Sequence, residues 1–142
     1  MSADRNRRPL AEVVAAADQR LQPYAREAPR GDDLDLDVPD RDRAFTLAAV
    51  REAYLLHYGE PCAFAGMDDD LRLLAGDALY ALGLERVASA GDLEAIAELA
   101  DLISLCARAH SAGQGHLVPD LWRASAAALS GRDSGVSGAI PL

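Results

Sequence analysis

Between Leu71 and Leu84 the chain carries only two charges, Arg72 and Asp77; the rest is leucine, alanine, glycine and one tyrosine. Leucine and alanine are strong helix formers, and a helix that is apolar nearly all round must be covered on most sides. The run follows Asp68, Asp69 and Asp70, three acids placed where the positive end of a helix dipole would lie. The pattern predicts a helix from about 67–70 to 88. Gly91 closes it and Asp92 caps the next, over about 93–111. In that second helix Leu93, Ile96, Ala97, Leu99, Ala100, Leu102, Ile103 and Cys106 span a wide arc, and Glu94, Glu98, Asp101 and Arg108 confine polarity to a stripe. So short a connection predicts an antiparallel hairpin at the centre of the fold.

The rest of the chain reads as helix around that hairpin. Pro9 suits a first helical position, and Leu10, Val13, Val14, Ala17 and Leu21 form an apolar stripe. This predicts a helix from Pro9 to about Glu27, bent or ended by Pro23. Residues 28–42, with Gly31, Pro39 and the acids Asp32, Asp33, Asp35 and Asp37, read as a solvated loop. Asp40 caps a helix over 41–58 that stops at Gly59 and Pro61, and a last helix spans about 119–129. The expected fold class is all-α: a small bundle of four to five helices. Its organisation is a disordered N-terminus (1–8), a helical domain (9–129) and a flexible tail (130–142). Aromatic residues make up only 5% of the chain, β-branched residues are scarce, and no long alternation of apolar and polar residues stands out as a strand.

Charge narrows the function. With 14 basic against 23 acidic residues and a net charge of -9, the chain lacks the clustered cations that neutralise nucleic-acid phosphates. The one basic cluster, Arg5, Arg7 and Arg8, lies in the expected N-terminal tail. No signal peptide is recognised at the start, and no apolar run reaches the roughly 18 residues that suggest a membrane span. Cys62 and Cys106 stand far apart without C-x-x-C spacing, so both read as free thiols of a cytoplasmic protein.

A bundle this small cannot wrap two such apolar helices completely, and an apolar face left in water marks an interaction surface. We therefore expect a protein partner, either a second copy or a different chain. Leu74, Gly76, Asp77, Tyr80 and Gly83 on the first hairpin helix, with Leu99 and Ile103 on the second, are the candidate interface residues. Gly76 and Gly83 fall seven residues apart, hence on one face. Each costs about 1 kcal/mol relative to alanine inside a helix, which a closely approaching neighbour would offset. The alternatives are that the glycines are incidental and that the other helices cover the hairpin.

The run Leu73-Leu74-Ala75-Gly76-Asp77-Ala78-Leu79, continuing through Leu84-Glu85-Arg86-Val87-Ala88 to Gly91-Asp92-Leu93-Glu94-Ala95-Ile96, resembles the trans-isoprenyl diphosphate synthases. It is closest in character to the non-catalytic small subunit of two-component heptaprenyl diphosphate synthases. The resemblance covers about residues 71–105. It implies an accessory subunit that packs against a catalytic polyprenyl diphosphate synthase subunit and helps shape a shared apolar tunnel. The departures bear on activity. The catalytic members carry D-D-x-x-D on a helix, where carboxylates at i, i+1 and i+4 share a face and hold Mg²⁺ against a diphosphate. Here Asp68, Asp69 and Asp70 are consecutive and lie too close to the A-G-D stretch; no second aspartate-rich helix and no G-G-K-R-like motif follows. No catalytic residue is carried over.

Other chemistry finds little footing. Asp33, Asp35 and Asp37 begin like a calcium loop, but Val38 replaces the turn glycine and Ala44 the closing glutamate. His57, His110 and His116 show no zinc spacing with the cysteines. We expect no metal, no cofactor and no catalytic activity of the chain alone. The second functional reading is a helical adaptor, or a small accessory subunit of another assembly, with no enzymatic role.

Overall fold

A computed structural model describes residues 2–132 and residue 135. The expectation of an all-α bundle holds. Among the described residues five α-helices form it: α1 (Ser2–Ala16), α2 (Arg41–Tyr58), α3 (Asp69–Ser89), α4 (Leu93–Ser111) and α5 (Val118–Leu129). Short 3-10 segments lie at Gln19–Tyr24 and Gly115–Leu117. Among the described residues the sole β-type pairing is one antiparallel bridge, Ala25 with Phe64. The flexible tail expected from 130 onward lies, past residue 132, almost wholly outside the described residues.

The start of the chain departs from expectation. Helical backbone begins at Ser2, so Pro9 lies inside α1 and residues 2–8 belong to the helix. The helix also ends at Ala16, well before Pro23. The reason is local: the Asp18 carboxylate accepts from the backbone N–H of Arg20 at 2.8 Å and starts a separate 3-10 turn.

The expected centre is also corrected. α2, not the α3–α4 hairpin, is the axis of the bundle. Its residues Phe45, Thr46, Leu47, Ala49, Val50 and the run from Glu52 to Leu56 are all buried. α3 packs along α2 much more extensively than along α4. Gly76 and Gly83 explain the preference. A Cβ on Gly76 would overlap the His57 ring, and one on Gly83 would stand 3.0 Å from Ala49 Cβ and 3.1 Å from Thr46 O. Both glycines therefore serve the close approach of α3 to α2 within this chain, and the Thr46 hydroxyl donates to Gly83 O at 2.8 Å across the same seam.

The helix ends are tied by side chains. Asp68 caps α3 by accepting from Leu71 N at 2.8 Å. Asp92 caps α4 and also receives Arg43 in a paired bond of 2.7 and 2.9 Å, while Arg43 Nη1 donates to Leu129 O at the end of α5. One guanidinium thus joins the starts of α2 and α4 to the end of α5. The link between α3 and α4 turns at Gly91, whose φ of 72° suits glycine.

The acidic loop is only half solvated. Leu34, Leu36 and Val38 are buried while Asp33 and Asp35 are exposed. This two-residue alternation is that of an extended strap laid across α2. Asp32 fastens it, accepting a paired bond of 2.9 and 2.9 Å from Arg51 and one of 3.0 Å from Leu34 N.

Candidate functional site

α2 ends in His57-Tyr58-Gly59, and α3 begins beside it because the two run antiparallel. Arg72, in the first turn of α3, reaches back to the carbonyls of Leu55, Leu56 and Gly59 and so caps the C-terminus of α2. That cap fixes the relation of the two helix ends. His57 Nε2 donates to Leu73 O at 3.0 Å and stands 3.4 Å from an Asp77 carboxylate oxygen. Its ring meets Tyr80 edge-on at 5.4 Å.

α4 arrives at the same end with His110. The Tyr54 hydroxyl and His110 Nε2 share a hydrogen bond of 2.6 Å, and the His110 ring stacks on Tyr58 at 4.2 Å with planes 3° apart. Burial pushes the Tyr54 phenol up to about 12 and raises Tyr80 further, so both stay neutral donors at physiological pH. Tyr58, by contrast, is 45% exposed; beyond α3's first turn Leu73 is 52% and Leu74 67% exposed. This end of the bundle thus shows water an aromatic ring and two leucines over a framework of buried rings.

Of the seven expected interface residues, the structure brings four to this end. Gly76, Asp77 and Tyr80 all adjoin His57, and Leu74 projects beside them, exposed; Asp77 is exposed too. Gly83 lies buried farther along α3 against α2, Leu99 is wholly buried in the core, and Ile103 is half-buried against it. These three do not join the exposed group. Leu93, at 76% exposed, stands at the opposite end of α3. His57, Tyr58 and His110 were not among the expected site residues; the signal for two of them was an aromatic pair in the last turn before Gly59.

A second polar centre sits farther back along α2. Glu52 is 1% exposed and accepts from the backbone N–H groups of Cys62 (2.8 Å), Ala63 (2.9 Å) and Phe64 (3.3 Å). Burial raises its pKa, and the three N–H bonds work against that rise. Beside it Arg51 pairs with Asp32. Burial acts to raise the Asp32 pKa, but the guanidinium more than offsets this and holds the carboxyl below its ordinary range. The Arg51 guanidinium also lies 5.5 Å from the Tyr54 ring and 5.0 Å from that of Trp122. The thiols of Cys62 and Cys106 are buried, and burial pushes them up to about 11 and about 12, which keeps them protonated and unreactive.

Among the described residues, no three His, Cys, Asp or Glu side chains converge to hold a metal ion, and no helix is long and apolar enough to cross a membrane. Comparison with known protein families, curated proteins and solved structures returns no match.

Proposed function

We propose that this chain is a non-catalytic helical subunit that docks on a partner protein through the end of the bundle carrying Tyr58, Leu73 and Leu74. The observation behind this reading is the exposure of those three side chains on a framework that is otherwise closely tied. Tyrosine is enriched among residues that dominate binding energy, and an exposed apolar group on rigid elements loses little entropy when covered. The resemblance of residues 71–105 to the trans-isoprenyl diphosphate synthases supplies the class of partner: a catalytic polyprenyl diphosphate synthase subunit, met in the cytoplasm.

One observation favours the second reading, a helical adaptor of another assembly. Gly76, which carries part of the resemblance, and Gly83 are engaged with α2 inside this chain. Close packing of any two alanine- and leucine-rich helices would select glycine there.

A pull-down of the tagged chain from its native lysate, with mass spectrometry, separates the two. Recovery of a polyprenyl diphosphate synthase with intact aspartate-rich motifs, lost with Leu74→Asp, supports the accessory subunit. Recovery of an unrelated complex supports the adaptor. Because Leu74 is exposed, the substitution changes stability by no more than about 0.5 kcal/mol. Partner capture unchanged by Leu74→Asp and by Tyr58→Asp overturns the docking surface.

A further inference from the structure

The strap does not lie flush on α2. Between it, α1 and α2 runs a cleft of about 180 Å³. Its α2 wall is Ala44, Leu47, Ala48 and Arg51, on the side of that helix turned away from Thr46, Ala49, Ala53 and His57, which face α3. None of Tyr58, Leu73 and Leu74 lines it, so the cleft is distinct from the end proposed for docking. Leu10, Leu34, Leu36, Val38 and Leu47 supply most of its apolar lining, and among the described residues no aromatic side chain contributes. For scale, a dry protein cavity of about 150 Å³ takes up benzene. Aliphatic walls of this size suit a short alkyl chain.

Three guanidinium groups, those of Arg7, Arg30 and Arg51, line the cleft. Four carboxylates line the cleft, but each is engaged or turned outward. Glu52 is taken by three backbone N–H groups and Asp32 by Arg51 and Leu34 N, while Asp33 and Asp35 lie on the exposed side of the strap. Arg30 is different. Its Nη1 and Nη2 donate to Gly31 O and Glu60 O, but its Nε is buried with no hydrogen-bond partner among the described residues. A buried N–H without an acceptor is costly, so an acceptor supplied by a ligand is favoured there.

We propose that this cleft binds a short aliphatic monocarboxylate, its alkyl chain against Leu34, Leu36 and Leu47 and its carboxylate at the guanidinium groups of Arg30 and Arg51. Hexanoate is the probe, with hexan-1-ol and hexylamine as the same chain under other heads. Titration of the full-length isotope-labelled chain, followed by backbone amide shifts, should show saturable changes confined to the cleft walls, residues 7–10, 29–38, 44–52 and the neighbourhood of Cys62. Hexan-1-ol should bind about tenfold more weakly, because a charge-assisted bond to guanidinium is lost, and hexylamine should not bind. Ala48→Phe, which fills the cleft from a half-buried position, should abolish the response, and Arg30→Met should weaken it about tenfold. Circular dichroism verifies that each variant stays helical. Absence of saturable shifts with hexanoate, equal affinity for the alcohol or amine, or undiminished binding by a folded Ala48→Phe variant each overturns the proposal. If that variant does not fold, the comparison of the three head groups still decides.

Discussion

Gly83→Ala sets two opposed effects against each other, and their balance tests the central helix pair. Alanine inside a helix is favoured over glycine by about 1 kcal/mol. At this position the new Cβ would stand 3.0 Å from Ala49 Cβ and 3.1 Å from Thr46 O, with Thr46 Cγ2 at 3.4 Å. The two nearest atoms are a Cβ and a backbone carbonyl, so no rotamer change can clear them. α2 and α3 must separate by a few tenths of an ångström, which also stretches the 2.8 Å bond from Thr46 to Gly83 O. Overpacking of a closed core costs about 1–3 kcal/mol. The net expectation is a loss of about 1 kcal/mol, or roughly 3 °C in melting temperature for a chain of this size.

Urea unfolding followed by circular dichroism reads the loss directly, provided the transition is two-state. Gly83→Val enlarges the clash and should cost about 3 kcal/mol or more. A gain of about 1 kcal/mol for Gly83→Ala would refute the reasoning. That gain is what helix propensity alone gives at an open position, and what Gly83 would show if it faced a partner instead of α2.

Two further expectations concern the polar centre. Glu52→Ala strips the acceptor from three backbone N–H groups that stay buried, and should lower stability by about 2–4 kcal/mol, measured by urea unfolding; an unchanged midpoint would mean that the carboxylate does not hold residues 62–64. The Arg51–Asp32 pair predicts a pH dependence. Asp32 is depressed below its ordinary 3.8, so its contribution is present above that pH and is lost as pH falls through the folded value. Arg51→Met should therefore destabilise the chain most at neutral pH, and the gap to the parent should shrink below about pH 4. A gap of constant size across that range would count against the pair. Glu52 has the opposite sign: its raised pKa means that stability is fully present below 4.5 and declines as pH rises through the folded value, in parent and variant alike.

The helices were legible in the sequence because their signals are local. Asp40 and Asp92 cap the helices expected of them, Asp68 caps the helix at whose start the three acids were placed, and Gly91 makes the expected turn. What stayed hidden was the choice of central helix. Between Leu71 and Leu84 α3 has only two charges, and that run makes α3 look the more buried. But Arg43, Arg51, Glu52 and His57 of α2 all find partners far away in sequence: Asp92, Asp32, the turn at 62–64 and the start of α3. A charge satisfied at long range reads in sequence like a charge in water. The strap was missed for a related reason. Asp33 to Val38 alternates acid and aliphatic residue by residue, which is the signal of the strap, but acids dominate the stretch and in sequence resemble a solvated loop. The exposed end was half legible: Leu74 and Asp77 point outward as expected, while their neighbours His57, Tyr58 and His110 come from two other helices.

The two surfaces read from this structure are not independent of one another. Arg51, Tyr54 and Tyr58 are spaced three and four residues apart, so they share one face of α2. Along that face the Arg51 guanidinium lies 5.5 Å from the Tyr54 ring, and the Tyr54 and Tyr58 rings are 5.1 Å apart. The Tyr58 ring in turn stacks on His110, which is bonded to the Tyr54 hydroxyl. A continuous series of packed groups thus leads from the cleft beneath the strap to the exposed end. Contact alone does not transmit anything; coupling requires a member with two arrangements that both sites bias. Arg51 is held by Asp32, and Tyr54 is buried and bonded to His110. Tyr58 is 45% exposed and its ring stacks on His110. Because the same ring belongs to the proposed docking surface, a partner that covers Tyr58 would pack against the exposed end of the series of groups that reaches Arg51 at the cleft.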